Sequence, residues 1–433
     1  MNRGLYSRIY ICQNSLVVFG VFTSLFLILN MLRFIRNYFL SFFLSVFFIA
    51  CHSDNDKAEA RTPPPPSPHF HDTPKKGTAA PLAYDTTEPQ IKDIIGRLDD
   101  YYRSQSRAGF NGSVLVGYKG KVIYERYYGY ANHEQHMPLQ SNSACQLASI
   151  SKTFTGAAIL YLYEKKYLDI NDPVQNYIKD FPYQGVTLKM LLSHRSGVPD
   201  YTKWVPNYDH DTKTPIDNEK MLEMMAKYKP GLEFRPGSRF KYCNTNFAIL
   251  ARVIEVVSQM DYRAFMKKYI FDPLNMSNTF VYDPAKGLPI TATISYKNNW
   301  VREPDMFADG VYGDKGIYST VEDMYRWDQS FYENKLLNNQ TIELAYGPCS
   351  FEKPGIKNYG LGWRMLCYAD GGKIIYHNGW WHGNNTSFYR FIKDNFTIIV
   401  LGNKHNNNIY HQAPAIFSII KGAAPAGGFD ADE

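Results

Sequence analysis

The chain has 433 residues, 45% of them hydrophobic and 20% charged, with a formal net charge of +6. That composition is ordinary for a folded globular protein and long enough for one large domain. The positive charge is modest and spread along the sequence, so nucleic acid is excluded as the expected partner.

The first fifty residues do not read as part of the fold. Two apolar runs, 16–29 and 38–50, are separated by Arg33 and Arg36. Each is shorter than the roughly 20 residues a membrane-spanning helix needs. The second run has a basic start, an apolar middle and the ending Phe48-Ile49-Ala50-Cys51, the shape of a secretory signal. That ending resembles a lipobox, in which Cys51 is lipidated and Met31 is the true start. The alternative is an uncleaved anchor within 16–50. Either way 1–51 is a leader that holds the folded part outside the cytoplasm, periplasmic or at the cell surface, and attached to a membrane. Residues 52–90, with Asp54, Asp56, Pro63-Pro64-Pro65-Pro66 and Pro68, read as a disordered, proline-rich tether that cannot bury a core.

A helix is predicted over 89–107, where Ile91, Ile94, Ile95, Leu98 and Tyr102 recur at helical spacing. Strands over 112–118 and 121–128 follow, joined by a turn at Lys119-Gly120. A mostly helical stretch, 145–305, separates them from strands over 373–377, 386–392 and 396–402, with a turn at Lys393-Asp394-Asn395. A helix over 413–421 precedes a flexible tail, 423–433. This pattern predicts an α+β fold for 91–422. One antiparallel sheet is built from both chain ends (91–144 and 306–422), flanked by helices, with an inserted helical subdomain (145–305). The seam between the two is the expected cleft.

Ser149 lies three residues before Lys152, ahead of an apolar run, 156–163, that reads as a buried helix. Residues three apart share a helix face, and a desolvated lysine can take a proton from a neighbouring hydroxyl. Alone, the pair is more often a capping serine beside a solvated lysine. Three further segments keep it company: Tyr242-Cys243-Asn244, the turn Gly313-Asp314-Lys315-Gly316 leading to a helix capped by Ser319 or Thr320, and His377-Asn378-Gly379. Singly, Tyr242 is as readily a core tyrosine, Asn244 a helix cap and His377 a plain strand residue. Ser151 adjoins Lys152 but falls one helical step off the motif. No metal or cofactor is expected: His133-Glu134-Gln135-His136 is not a zinc motif, His377 and His382 have no third ligand nearby, and Cys145, Cys243, Cys349 and Cys367 have no metal spacing. Their disulfide state stays open. No Gly-x-Ser-x-Gly elbow is present, which argues against an α/β-hydrolase.

In combination these motifs resemble the serine β-lactamase and penicillin-binding-protein superfamily. The branch is that of class C β-lactamases, D-Ala-D-Ala carboxypeptidases and related esterases, and the likeness covers about 90–420. The stretch 186–199 also looks like a family landmark on the cleft wall. The resemblance implies a β-lactamase/transpeptidase-like fold with Ser149 as acylated nucleophile. Lys152 and Tyr242 would be a coupled general base, and Asn244 would orient Lys152 and the substrate. The oxyanion hole would come from the backbone N–H groups of Ser149 and Trp380. His377, Asn378, Gly379 and Trp381 would line the substrate edge. His377 stands where class C β-lactamases carry lysine, which weakens the permanent cation for a substrate carboxylate. Trp380-Trp381 stands where small residues are common, implying a narrowed groove or an aromatic platform. The expected function is a serine hydrolase cleaving peptide or ester bonds in the bacterial envelope, of D-Ala-D-Ala carboxypeptidase or esterase type. Its substrates would be small molecules or peptides, peptidoglycan-derived ones among them. A class C-type β-lactamase and a catalytically inactive binding module are the alternatives; oligomeric state is left open.

Overall fold

The computed structural model describes residue 70, residues 72–74 and residues 81–422, all within one unit, 65–433. Across them the apolar alternation of both chain ends becomes a single antiparallel sheet. Its strands are β1 (Gly112–Tyr118), β2 (Lys121–Tyr128), β3 (Lys357–Tyr359), β4 (Arg364–Cys367), β5 (Lys373–Trp381), β6 (Asn384–Phe391) and β7 (Phe396–Gly402). The order is β2-β1-β7-β6-β5-β4-β3, so the first and last strands of this sheet are neighbours. There Gly112 pairs with Gly402 and Tyr118 with Phe396. Lys119 and Gly120 both take positive φ, 52° and 77°, the left-handed pair that lets a two-residue hairpin follow the sheet twist.

Five helices matter for the site and its support: α1 (Pro89–Arg107), α2 (Ser151–Glu164), α3 (Thr245–Ser258), α4 (Val321–Tyr332) and α5 (Ile409–Lys421). Both faces of the central strands are buried, which is why they read as nearly continuous apolar runs. Val114, Val116, Ile398 and Val400 pack under Leu98 and Tyr102 of α1 and Ile409 and Ile416 of α5. Leu115, Ile399 and Leu401 face the other way, into a larger core with α2 and α3. Residues Ser151 to Leu162 of α2 are all buried, as expected of a helix that is apolar nearly all round. Thr320 caps α4 by accepting the Asp323 N–H at 3.2 Å.

Several boundaries differ from expectation. β3 and β4 carried too little alternation to be foreseen, and β5 runs on past His377 to Trp381. β6 starts at Asn384, and a turn over Ile392–Asp394 ends in left-handed Asn395. α5 begins at Ile409, four residues before the expected start, because Pro414, which reads as a first-turn residue, lies inside the helix. The middle is not wholly helical: Cys145–Gln146 and Phe280–Val281 flank Ile317–Ser319 in a small sheet.

The tether is not structureless where it is described. The Phe70 ring meets Tyr167 and Tyr269 at 4.7 and 4.8 Å, and Asp72 accepts the Tyr161 hydroxyl. Asp85 N–H reaches Val122 O at 3.0 Å, and Val122 N–H reaches Ala83 O at 2.8 Å, extending the β2 edge. An apolar ring and a few extended residues in a polar spacer thus find partners on the domain. The leader with Cys51, residues 52–69, 71 and 75–80 of the tether, and the tail 423–433 lie outside the described residues. Among the described residues, no helix is long and apolar enough to cross a membrane.

Candidate active site

Ser149 sits in a single 3-10 turn, Ala148–Ile150, that runs directly into α2. It is half-buried and reachable, whereas Lys152 one turn on is fully buried. Ala148 adopts φ 50°, an unfavourable value for a residue with a Cβ that persists only where surroundings enforce it. β5 supplies that enforcement. A Cβ on Gly379 would lie 2.3 Å from Leu147 O and 3.1 Å from Ala148 Cβ, so the strand passes directly against the serine turn. Thr386 Oγ1 ties the same turn by donating to Leu147 O at 2.8 Å. The neighbouring Ser151 hydroxyl accepts the Ile317 N–H at 3.2 Å, a structural role.

Lys152 Nζ has three acceptors: Ser149 Oγ at 2.9 Å, Asn244 Oδ1 at 2.9 Å and Asp314 O at 2.8 Å. Burial lowers its pKa from 10.5 to about 8, with Asp314 and Asp200 opposing and Arg364 reinforcing the shift. An amine so placed gives up its proton near neutral pH while staying within reach of a serine hydroxyl.

Tyr242 and Asn244 precede α3 and face the same lysine. The Lys152 ammonium is 4.9 Å and the Arg364 guanidinium 5.1 Å from the centre of the Tyr242 ring. His194 packs on the other side, with ring centres 4.3 Å apart. Its Nδ1 accepts the Cys243 N–H at 3.1 Å, and burial first, then Lys152, His377 and Arg364, keep this histidine neutral. Asn244 is held by Asp200, whose Oδ2 accepts the Asn244 N–H at 3.0 Å and its side-chain amide at 3.2 Å. Asp200, Arg364 and His194 were not singled out from sequence as site residues. Asp200 lies one residue beyond the stretch 186–199, where a look ahead could have found it; Arg364 belongs to no motif.

The residues of β5 divide by strand alternation. His377 is fully buried; its Nδ1 donates to Asn378 O at 2.6 Å and its Nε2 accepts the Tyr359 hydroxyl at 3.3 Å. Burial, then Arg364 and Lys152, hold its pKa well below the usual histidine value. Asn378 does not line the substrate edge. Its side chain falls on the opposite sheet face, 1% exposed, with Nδ2 3.4 Å from the Tyr389 hydroxyl. The Trp380 side chain shares that face by alternation and is 58% exposed, leaving only its backbone on the serine side. Trp381 is no open platform: its indole N–H donates to Asp309 Oδ1 at 2.6 Å, and Lys315 Nζ lies 4.7 Å over the ring. It forms a fixed wall, so two free indoles do not narrow the groove as the sequence had implied.

His382 is bonded to Asp309 at 2.9 Å and His133 stacks on Trp300 at 4.1 Å. Cys145, Cys243, Cys349 and Cys367 are free thiols.

Comparison with known proteins places this geometry. A family model described as Beta-lactamase matches residues 94–418. Penicillin-binding protein 4* of Bacillus subtilis (strain 168) is 34% identical over 321 residues, covering 70% of this chain and 70% of its own. Teichoic acid D-alanine hydrolase of Staphylococcus aureus is 27% identical over 336 residues, 75% and 76% of the two chains. Among solved structures, a penicillin binding protein from Bacillus halodurans superposes with a TM-score of 0.67 at 22% identity, over 77% of this chain and 100% of the other. FmtA from Staphylococcus aureus gives 0.65 at 23%, over 84% and 94%. At that identity the two structures speak for the fold alone.

Proposed function

This chain belongs to the beta-lactamase family, and from that premise we propose that it is a serine hydrolase forming an acyl-enzyme on D-alanyl ester or peptide bonds of the bacterial envelope. The observation that carries the reading is the 2.9 Å contact between buried Lys152 Nζ and Ser149 Oγ, fixed by Asn244. Ser149 Oγ bonds to the substrate carbonyl carbon as its proton passes to neutral Lys152. The bond to the leaving group then breaks, and that group takes the proton. Water repeats the sequence on the acyl-enzyme and frees Ser149. Arg364, and Lys152 once it has taken the serine proton, flank Tyr242 and favour any negative charge that develops on its oxygen, which suits it to share the proton transfers. The oxyanion is assigned to the N–H groups of Ser149 and Trp380, a pair whose members are each worth about 100- to 1000-fold in rate.

His377 is neutral with both ring nitrogens occupied, so it supplies no cation to the substrate. A permanent positive charge lies beside Tyr242 instead, on Arg364. Relatives named for teichoic acid D-alanine hydrolysis and for penicillin binding support a D-alanyl acyl group over other esters. Envelope location, with 1–51 as leader, belongs to the same proposal.

Intact mass of the full-length chain after treatment with a fluorophosphonate and with benzylpenicillin, beside Ser149→Ala, tests the nucleophile. Release of D-alanine from D-alanylated teichoic acid and from a D-Ala-D-Ala peptide tests the bond. An adduct that persists in Ser149→Ala overturns the assignment. Fast benzylpenicillin turnover without D-alanine release replaces it with a β-lactamase.

A further inference from the structure

Beside Asp314 lies a second buried lysine that this reaction does not use. Lys315 is 3% exposed, and its Nζ donates to the Tyr201 hydroxyl, to Val311 O at 3.3 Å and to Asp314 Oδ2 at 3.4 Å. The Tyr201 hydroxyl in turn donates to Asp314 Oδ2 at 3.0 Å. The rings of Trp381 and Tyr201 cover the ammonium at 4.7 and 5.1 Å. Burying such an ion pair is costly, and breaking it more so, unless every proton finds an acceptor; here three acceptors match three protons. The main-chain carbonyl of the same Asp314 accepts Lys152 Nζ at 2.8 Å. One residue therefore touches both lysines, giving its carbonyl to one and its carboxylate to the other.

A bare carboxylate at this depth would hold Lys152 as an ammonium, the form that cannot take the serine proton. Asp314 is the strongest of the groups that oppose deprotonation of Lys152 by burial. The other groups facing Lys152 come from every side: Asp200, Tyr242 and Cys243 ahead of α3, Arg364 on β4, Lys315 itself, and the neutral His194 and His377. Asp309 lies beyond Lys315 and is engaged by His382 and Trp381. Lys315 is the cation ion-paired to Asp314 among the described residues.

We infer that Lys315 is a positioning residue for catalysis: by pairing with Asp314 it removes the negative charge that would otherwise keep Lys152 protonated and unable to activate Ser149. This rests on Lys152 acting as the base for Ser149. The test is the rate at which a fluorophosphonate modifies Ser149 in the full-length chain, followed by mass from acid to alkaline pH. In the wild type the rate rises through a midpoint at about 8, the value set for Lys152. Lys315→Met should move that midpoint up by roughly 0.5–1 pH unit, slowing the reaction about 3- to 10-fold at pH 7 and sparing it at high pH. Lys315→Arg should keep the wild-type midpoint. Asp314→Asn, which keeps the carbonyl and the shape, should move it down, and it tests the pairing even if Lys315→Met fails to fold. A midpoint that stays put or falls in Lys315→Met, or an equal loss at every pH, overturns the inference while leaving Ser149 assigned. A wild type that is never modified overturns the reading of Ser149 and Lys152, and this inference with it.

Discussion

Gly379→Ala is the sharpest test of how β5 builds the site. The added methyl would lie 2.3 Å from Leu147 O, 2.4 Å from Thr386 Oγ1 and 3.1 Å from Ala148 Cβ. Real Cβ contacts essentially never fall below 3.0 Å, so strand and turn must separate by at least 0.7 Å, the difference between 3.0 and 2.3. The threonine hydroxyl could swing aside, but the Leu147 carbonyl is backbone and cannot. Two things then happen together. The over-packed contact destabilises the fold by about 1–3 kcal/mol. The Trp380 N–H also moves away from the position where an oxyanion would form, and a misplacement of about 1 Å costs on the order of 100-fold in rate. Fluorophosphonate labelling of Ser149 against urea unfolding separates the two. Labelling should fall about 100-fold at denaturant concentrations where the variant is fully folded. Thr386→Ala added to Gly379→Ala should recover little, because the carbonyl clash remains. Wild-type labelling and stability in Gly379→Ala would refute this account of the strand.

Other consequences are as direct. Lys152→Met should reduce acylation by about 100- to 10,000-fold, the range for losing a positioned base, with little loss of folding because it replaces a buried ammonium by an apolar chain; an intact rate would remove Lys152 from the mechanism. Neutral Lys152 is the active form and its pKa is about 8, so wild-type acylation should increase about 50-fold from pH 6 to pH 8 and only about twofold above that. A rate that falls across this interval would mean the ammonium is the working form. Asp200→Ala should cost about 1–3 kcal/mol in urea unfolding by leaving the Asn244 amide groups unbonded, and should slow acylation through the displaced Asn244. Phe70→Ala should cost about 1 kcal/mol by removing its edge contacts with Tyr167 and Tyr269; unchanged unfolding would show that this tether contact contributes nothing to stability.

What was legible in the sequence follows from how each feature is encoded. Ser149 and Lys152 are three apart on one helix, so local geometry alone brings them together, and the structure sets them 2.9 Å apart. The central strands were legible because both faces bury apolar residues, as Leu115 against Val114 and Val116 shows. Short β3 and β4 lack that signal, and with them went Arg364. Asn378 was misplaced for a simpler reason. A motif read as a triplet treats its members as neighbours, whereas a strand sends alternate side chains to opposite faces, and Asn378 points at Tyr389. The same rule sends the Trp380 side chain away from the serine and leaves Trp381 facing Asp309.

The charges at the site depend on contacts that no spacing announces. His377 looked like a weakened cation for the substrate, but a histidine at full burial between Asn378 O and Tyr359 carries no charge. The positive charge is displaced to Arg364, one strand away, where it lies beside Tyr242 and also helps lower the pKa of Lys152. Moving the cation from β5 to β4 therefore has two effects with one cause. It sets a permanent charge beside Tyr242, and it favours the neutral amine that Ser149 needs. A lysine at position 377 would restore the cation of the class C pattern but would have to enter a fully buried pocket whose partners, a tyrosine hydroxyl and a carbonyl, are matched to a neutral ring. His377→Lys should consequently lower stability by several kcal/mol rather than create a β-lactamase, and unfolding in urea beside benzylpenicillin turnover would show which of the two outcomes holds.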